Sequence, residues 1–126
     1  MTSDFDLSIE PYITAVCGKK IKGLAILDVR KLTSIADVFL ICSGNSNRQV
    51  TSVAEHIKKE LKKKGIKPLH MEGVKEGQWA LLDYGHVIIH IFYEPVRIFY
   101  NLDGLWEDAR KINANTDMNP VSANHS

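Results

Sequence analysis

The sequence lacks the features that mark several large classes of protein. No apolar run approaches the roughly 18 residues of a transmembrane helix, so no membrane association is predicted. The net charge of +1 gives no field that would draw the whole molecule to nucleic acid. The first ten residues, MTSDFDLSIE, are acidic and contain no arginine, unlike a targeting peptide. These absences predict a cytoplasmic protein.

Cysteines are scarce, and motifs for catalysis are missing. Cys17 and Cys42 lie in apolar surroundings without metal-ligand spacing, so we expect two buried thiols rather than a disulfide or a metal site. The glycine-rich phosphate loop with its Lys-Ser/Thr ending is absent. Acids occur singly near the predicted strands, at Asp28, Asp37 and Asp83, whereas two-metal nucleotidyl transfer needs a carboxylate pair. The sequence therefore predicts no metal, no cofactor and no enzymatic activity.

The pattern that is present predicts one α/β domain. The chain has 126 residues, of which 44% are hydrophobic and 25% charged, as in ordinary soluble domains. Apolar periodicity and turn residues predict a helix over 8–17, strands over 24–29 and 38–42, a helix from an N-cap at Ser46 to Gly65, strands over 68–72, 79–83 and 86–92, and a helix from Pro95. We expect a single domain over 1–112 and a disordered tail over 113–126.

This order of elements predicts a mixed sheet of about five strands with helices mainly on one face. The run 38–42 is continuously apolar, which is typical of a central strand buried on both faces. Two helices cover only one face, so a partner chain, a second copy or the aromatic segment after residue 95 must cover the other. We expect Trp79 and Tyr84 to be exposed for a partner, and Phe99 and Trp106 to pack back on the sheet.

Two polar features allow competing functions. Gly44–Asn47 before a helix could cradle a phosphate, and Ser43–Asn47 with Asp83 could form a nucleotidyltransferase-like site. The missing phosphate-loop motif favours a simple strand-to-helix turn with an N-cap instead. Six lysines over 58–67 could contact RNA, although such a cluster is usually a solvated helix face. His86 and His90 would lie roughly 13 Å apart on one strand, too far to share a metal ion. His90 is predicted to be a hydrogen-bonded sheet residue or an interface residue.

Three blocks of the sequence resemble the ribosomal silencing factor S family, also called Iojap-related proteins. They are ADVFLICSGNSNRQV (36–50), QWALLDYGHVIIHIF (78–92) and RIFYNLDGLW (97–106), in the family's order and spacing. The resemblance implies a nucleotidyltransferase-like topology without catalytic acids. It also implies binding to large-subunit ribosomal protein fourteen, obstruction of subunit joining, repression of translation under nutrient limitation, and a homodimer when free.

The resemblance also implies which residues face the partner. Carried onto this sequence, they are Trp79, Leu82, Asp83, Tyr84, His86 and His90, with Arg97 and Tyr100 from the following helix. His86 departs from the family pattern, which has aspartate after the turn glycine. Because histidine titrates near neutrality, this replacement predicts an affinity that depends on pH. A minor contact of Lys58–Lys67 with ribosomal RNA is a further expectation.

Overall fold

The computed structural model describes residues 4–112. The predicted tail over 113–126 lies outside the described residues. The elements in chain order are α1 (Asp4–Cys17), β1 (Lys22–Asp28), β2 (Val38–Gly44), α2 (Asn47–Lys62), β3 (His70–Glu72), β4 (Trp79–Asp83), β5 (Val87–Tyr93), α3 (Glu94–Tyr100), α4 (Leu102–Leu105) and β6 (Arg110–Lys111).

The strands form a mixed sheet in the order β3-β4-β5-β2-β1-β6. The pair β2 and β5 is parallel, and the remaining neighbours are antiparallel. The predicted mixed α/β sheet is therefore confirmed, with six strands where about five were expected. The additional strand, β6, has two residues and pairs with the end of β1. Every residue of β2 is buried, as the continuous apolar run of residues 38–42 predicted.

Side chains of β2 and β5 alternate between two cores, because successive residues of a strand point to opposite faces. The first, here called the helix-covered core, lies under α1 and α2 and contains Ile9, Val16, Leu40, Val53, Ile57, Leu82, Ile89 and others. The second core contains Leu27, Val29, Ala36, Phe39, Ile41, Ile88, Phe92 and Ala109. Val96, Leu102 and Trp106 pack against the second core. The aromatic segment after Pro95 thus covers the second face within this chain.

The two cysteines have different environments. Cys42 lies fully buried in β2, and burial raises the pKa of its thiol to about 12. Cys17, at the end of α1, is exposed. The expectation of two buried thiols is therefore wrong for Cys17, because the apolar stripe of α1 ends with Val16 and the next position turns away from the core.

The start of α2 forms as the sequence predicts. Ser46 has an extended backbone, and its hydroxyl accepts a hydrogen bond of 3.0 Å from the backbone N–H of Gln49. This bond satisfies one of the N–H groups that a helix leaves without an intrahelical partner. The apolar periodicity that predicted this helix is also confirmed, because the residues at its apolar positions are buried: Val50, Val53, Ala54, Ile57 and Leu61.

Ser46→Ala is expected to lower the free energy of unfolding by about 1 kcal/mol, because it leaves that N–H without its cap. Urea denaturation checks this value. Ser52→Ala is the matched control, since Ser52 is an exposed residue inside the same helix and should change stability by less than about 0.5 kcal/mol. Equal losses in the two variants would show that the cap does not stabilise the helix.

Candidate protein interaction surface

Four large apolar side chains on α3 and α4 point into solvent. Ile98 is 74% exposed, Phe99 79%, Tyr100 56% and Leu105 72%. We call these four residues the α3–α4 surface. Neighbouring exposed side chains of this size are typical of a surface that binds another macromolecule. Phe99 was expected to pack on the sheet, and this prediction is wrong, whereas Trp106 does pack there, with its ring 5.1 Å from that of Phe39.

The α3–α4 surface follows from the helix geometry. α3 is a seven-residue helix in which Ile98, Phe99 and Tyr100 are consecutive. Consecutive residues of a helix are about 100° apart around its axis, so three in a row cannot all face the sheet. Val96 contacts the second core instead, and Pro95 occupies the first turn, where it removes no intrahelical hydrogen bond. Sequence reasoning missed Ile98 and Leu105, although the three consecutive apolar residues were a usable signal.

Trp79 joins the sheet to this surface. It begins β4 and is half-buried, rather than fully exposed as predicted. Its ring lies 4.8 Å from Phe92 in the second core and 5.2 Å from Tyr100 on α3. Its indole N–H donates a hydrogen bond of 3.1 Å to Nδ1 of His90. The indole therefore contacts the second core, His90 and α3, and it links the sheet to Tyr100.

His90 lies beneath this indole, in the middle of β5. Its side chain is 5% exposed and contacts the rings of Phe39 and Phe92. Burial lowers the pKa of His90 from 6.5 to about 4, so the ring is neutral at physiological pH. Its Nδ1 accepts a hydrogen bond from Trp79, so His90 is a hydrogen-bonded sheet residue, the first of the two roles predicted for it. A residue this buried cannot touch a partner directly, so any effect on binding would pass through Trp79.

Arg97 connects α3 to its surroundings. Its side chain is 14% exposed. One guanidinium nitrogen, Nη1, donates to the hydroxyl of Ser43 at 2.9 Å, and Nε donates to Asp103 at 3.0 Å. Ser43 belongs to β2 and Asp103 to α4, so one side chain bonds the sheet and both short helices. Arg97 was predicted to face a partner, but these bonds direct its guanidinium toward β2 and α4 within the chain.

The other predicted contact residues lie at the opposite end of β4 or inside the core. Leu82 is fully buried, and Tyr84 is 7% exposed with its ring 5.3 Å from that of Tyr12. Burial raises the pKa of the Tyr84 hydroxyl to about 12. The expected exposure of Tyr84 is therefore wrong, and Leu82 also points into the helix-covered core. Alternation explains Leu82, because Trp79 and Leu82 are an odd number of positions apart on one strand.

Asp83 and His86 shape the turn between β4 and β5. Asp83 accepts a hydrogen bond of 2.8 Å from the backbone N–H of Gly85. His86 precedes β5, and its ring lies 5.4 Å from that of Tyr12 in the helix-covered core. His86 and His90 therefore do not lie on one strand, contrary to the prediction, because β5 begins at Val87. Both Asp83 and His86 are partly exposed.

Comparison with known proteins identifies the family. The family model described as "Ribosomal silencing factor during starvation" matches residues 3–126. The chain belongs to the ribosomal silencing factor family. It is 39% identical over 113 residues to a ribosomal silencing factor of Bacillus subtilis, covering 89% of this chain and 96% of that protein. A second, from Halalkalibacterium halodurans, is 40% identical over 97 residues, or 77% of this chain and 83% of that protein.

A solved structure shares the fold. A crystal structure from Chromobacterium violaceum superposes with a TM-score of 0.78 at 32% sequence identity, over 88% of this chain and 92% of that chain. The family resemblance and the α/β fold that it implied are thus confirmed. The match to the family model also extends beyond the three sequence blocks on which the resemblance depended, since it continues to residue 126.

The ribosomal silencing factor family is named for a regulatory role. In the alternative enzymatic site, Asp83 and the segment 43–47 would have to lie together, and the sheet register holds them apart. Asp83 pairs with Ile88, which pairs with Phe39, whereas the segment 43–47 begins four residues further along β2. At about 3.3 Å per residue, the distance along β2 from the level of Asp83 to the start of this segment is roughly 13 Å. Within 43–47, the N–H of Asn45 donates to the side chain of Gln49, and Ser46 caps α2. These bonds support the simple strand-to-helix turn.

The lysine cluster covers the last turns of α2 and the loop after it. Lys59, Lys62, Lys63, Lys64 and Lys67 are exposed, and Lys63 pairs with Glu60 at 2.9 Å. Pro68, Leu69 and Met71 form an apolar groove of about 510 Å³ together with Lys58, Lys62 and Lys67. No helix within residues 4–112 is long and apolar enough to cross a membrane. The same described range contains no group of three or more metal-ligating side chains.

Proposed function

We propose that this chain binds the large ribosomal subunit through large-subunit ribosomal protein fourteen and sterically blocks association with the small subunit. Translation would thereby fall under nutrient limitation. The observation that carries this proposal is the α3–α4 surface beside Trp79, in a member of the ribosomal silencing factor family. A protein that acts by occupying a joining face needs a binding surface and no catalytic group.

The composition of the surface supports a protein partner. Phe, Tyr and Trp are enriched in the centres of protein interfaces, and charged residues are depleted there. Tyr100 and Trp79 form such a pair, with their ring centres 5.2 Å apart. Ile98, Phe99 and Leu105 are further exposed apolar side chains on the same two helices. An anchor held by packing loses little side-chain freedom on binding, which favours affinity.

The burial of several predicted partner-facing residues changes the set of contacts that we propose. We propose Trp79 and the four residues of the α3–α4 surface as the central contacts. Asp83 and His86 remain proposed contacts, because both are partly exposed. The roles of Leu82, Tyr84 and His90 are then to support the strands that carry these contacts.

Further parts of the proposal concern assembly and location. We propose a homodimer when the protein is free, because the α3–α4 surface would otherwise remain in contact with water. The cationic end of α2, Lys58–Lys67, would add a minor contact with ribosomal RNA, whose phosphates attract exposed lysines. These roles place the protein in the cytoplasm, where ribosomes assemble from their subunits.

The proposal is tested by co-sedimentation with purified large subunits in a sucrose gradient, followed by addition of small subunits. The protein is expected to travel with large subunits and to reduce the amount of whole ribosomes formed. Free migration at the top of the gradient would contradict the binding step. Binding with undiminished ribosome formation would contradict the steric step. Enzymatic turnover of a nucleotide by the purified protein would favour the alternative function.

Phe99→Ala is expected to weaken binding to large subunits by tenfold or more, a rough value for an interface aromatic residue. Its stability should change by less than about 0.5 kcal/mol, because the side chain is 79% exposed and packs on no core residue. Leu69→Ala is the matched control, since Leu69 is 76% exposed just before β3, where its backbone N–H bonds the carbonyl of Asp83 at the end of β4 away from Trp79. A larger loss of affinity for Leu69→Ala would place the contact surface at that edge.

A further inference from the structure

The α3–α4 surface lies on two helices that have little hydrophobic anchorage. α3 has seven residues and α4 has four, and neither contains a buried residue. Helices this short are marginal in water without tertiary support. Val96, Leu102 and Trp106 supply part of that support by contacting the second core. These apolar contacts are not directional, so they do not by themselves fix the orientation of the two helices.

One guanidinium group supplies directional contacts to both helices. Arg97 is part of α3, and its Nη2 and Nε lie 2.9 Å and 3.0 Å from the same carboxylate oxygen of Asp103 in α4. Its Nη1 donates to Ser43, which is 2% exposed at the end of the central strand β2. Because the guanidinium is planar and rigid, bonds to two partners at once fix the angle between them.

The backbone around Arg97 is shaped to hold the side chain in place. Gly23 in β1 has a φ of +56°, and a Cβ at this position would lie 3.0 Å from Nη1 of Arg97. On the helix side, Asn101 has a φ of 50° and turns the chain between α3 and α4. Its backbone N–H donates to the carbonyl of Arg97 at 2.8 Å, and its side chain caps Gly104. The guanidinium is thus enclosed by β1, β2, α3 and α4.

We propose that Arg97 is a positioning residue that holds α3 and α4 in the orientation in which Ile98, Phe99, Tyr100 and Leu105 bind the partner. It acts through the two helices and makes no contact with the partner itself. This inference rests on the proposed function, because it takes the α3–α4 surface as the binding surface. The physical gain is preorganisation: helices already fixed in the free protein lose less freedom on binding.

Arg97→Lys is the discriminating variant, because it keeps the positive charge but cannot bond Ser43 and Asp103 in one plane. We expect about a tenfold loss of affinity for large subunits, which is the size of effect expected when one charge-assisted hydrogen bond is lost. We also expect faster amide hydrogen exchange confined to residues 94–106. Asp103→Asn, a milder change at a partly exposed side chain, should give the same pattern to a smaller degree. Arg48→Lys, at an exposed position in α2, should change neither measurement.

A double variant separates positioning from direct contact. If Arg97 acts through the helices, Phe99→Ala should weaken binding less in the Arg97→Lys protein than in the wild type, since the surface is already displaced. Unchanged exchange over 94–106 combined with weakened binding would show that Arg97 contacts the partner, and would overturn the inference. Wild-type affinity in Arg97→Lys would overturn it as well. Failure of the wild type to bind large subunits would instead refute the proposed function, and the exchange data would still test the positioning.

Discussion

Trp79→Ala is expected to remove detectable co-sedimentation with large subunits. Central interface aromatics lose on the order of 2–4 kcal/mol of binding free energy on truncation, which is about 30-fold to 1,000-fold in affinity. The structure adds a second reason, because the Trp79 ring lies 5.2 Å from that of Tyr100. Truncation would therefore remove one anchor and the support of another.

The same substitution is expected to lower stability, because the indole also packs on Phe92 at 4.8 Å and is only half-exposed. A loss of about 2 kcal/mol is expected, roughly half of that for a fully buried tryptophan. Circular dichroism and urea denaturation should show a folded protein. An unfolded variant would instead make Trp79 a core residue.

Trp79→Phe is the matched control for this variant. It keeps an aromatic ring against Phe92 and Tyr100 but removes the N–H that bonds His90. Binding should be reduced by less than in Trp79→Ala, because most of the apolar contact area is retained. If Trp79→Ala still travels with large subunits at the wild-type level, Trp79 is not the anchor.

The architecture could be predicted where one local signal determined it. The continuous apolar run of residues 38–42 has a single interpretation, a strand buried on both faces, and β2 is that strand. Ser46 and Pro95 each suit one position at a helix start, and both occupy it. Two predicted helices could cover only one of the two apolar faces of the sheet, which indicated that another element must cover the second face. It could not choose among a partner, a copy and the aromatic segment, because that choice depends on tertiary packing.

The candidate surface was harder to predict, because exposure depends on small rotations of short elements. Tyr84 was expected outside, but the turn at Gly85 directs its ring onto Tyr12 of α1, a contact between residues far apart in the sequence. Phe99 was expected inside, but in a seven-residue helix only some positions face the sheet. Arg97 was predicted to face a partner, whereas its guanidinium bonds Ser43 and Asp103 within the chain. Its role could not be read from the sequence, since its partners Ser43 and Asp103 lie 54 and 6 residues away.

His90 is expected to make the protein sensitive to acid. Its pKa is about 4 in the folded protein, against 6.5 for the unperturbed side chain, because burial disfavours the charged ring. Between these values the unfolded chain binds more protons than the folded one, so the free energy of unfolding falls as the pH falls from 6.5 to 4. The difference corresponds to about 3 kcal/mol, and no further loss from this group is expected below pH 4.

His90→Asn is expected to remove this part of the acid sensitivity, because asparagine offers an acceptor oxygen to Trp79 but does not titrate. The measurement is urea denaturation at pH 7, 5.5 and 4. Between pH 7 and pH 4, the free energy of unfolding should fall by about 3 kcal/mol more in the wild type than in the variant. This holds whatever the difference in stability between the two proteins at pH 7. Burial raises the pKa of Asp28, but hydrogen bonds from Arg30 outweigh this effect, so the pKa lies below 3.8. The stability that Asp28 contributes is therefore lost in more acidic solution than this range covers, and equally in both proteins.

His70→Asn is the control for histidine in general, because His70 lies on the exposed edge strand β3. It should keep the acid sensitivity of the wild type. Equal slopes in the wild type and His90→Asn would show that folding does not lower the pKa of His90. Since protonation of Nδ1 also removes the acceptor of the Trp79 N–H, acid should free the indole while the sheet is still formed. As the pH is lowered, the affinity for large subunits should therefore decrease more steeply in the wild type than in His90→Asn.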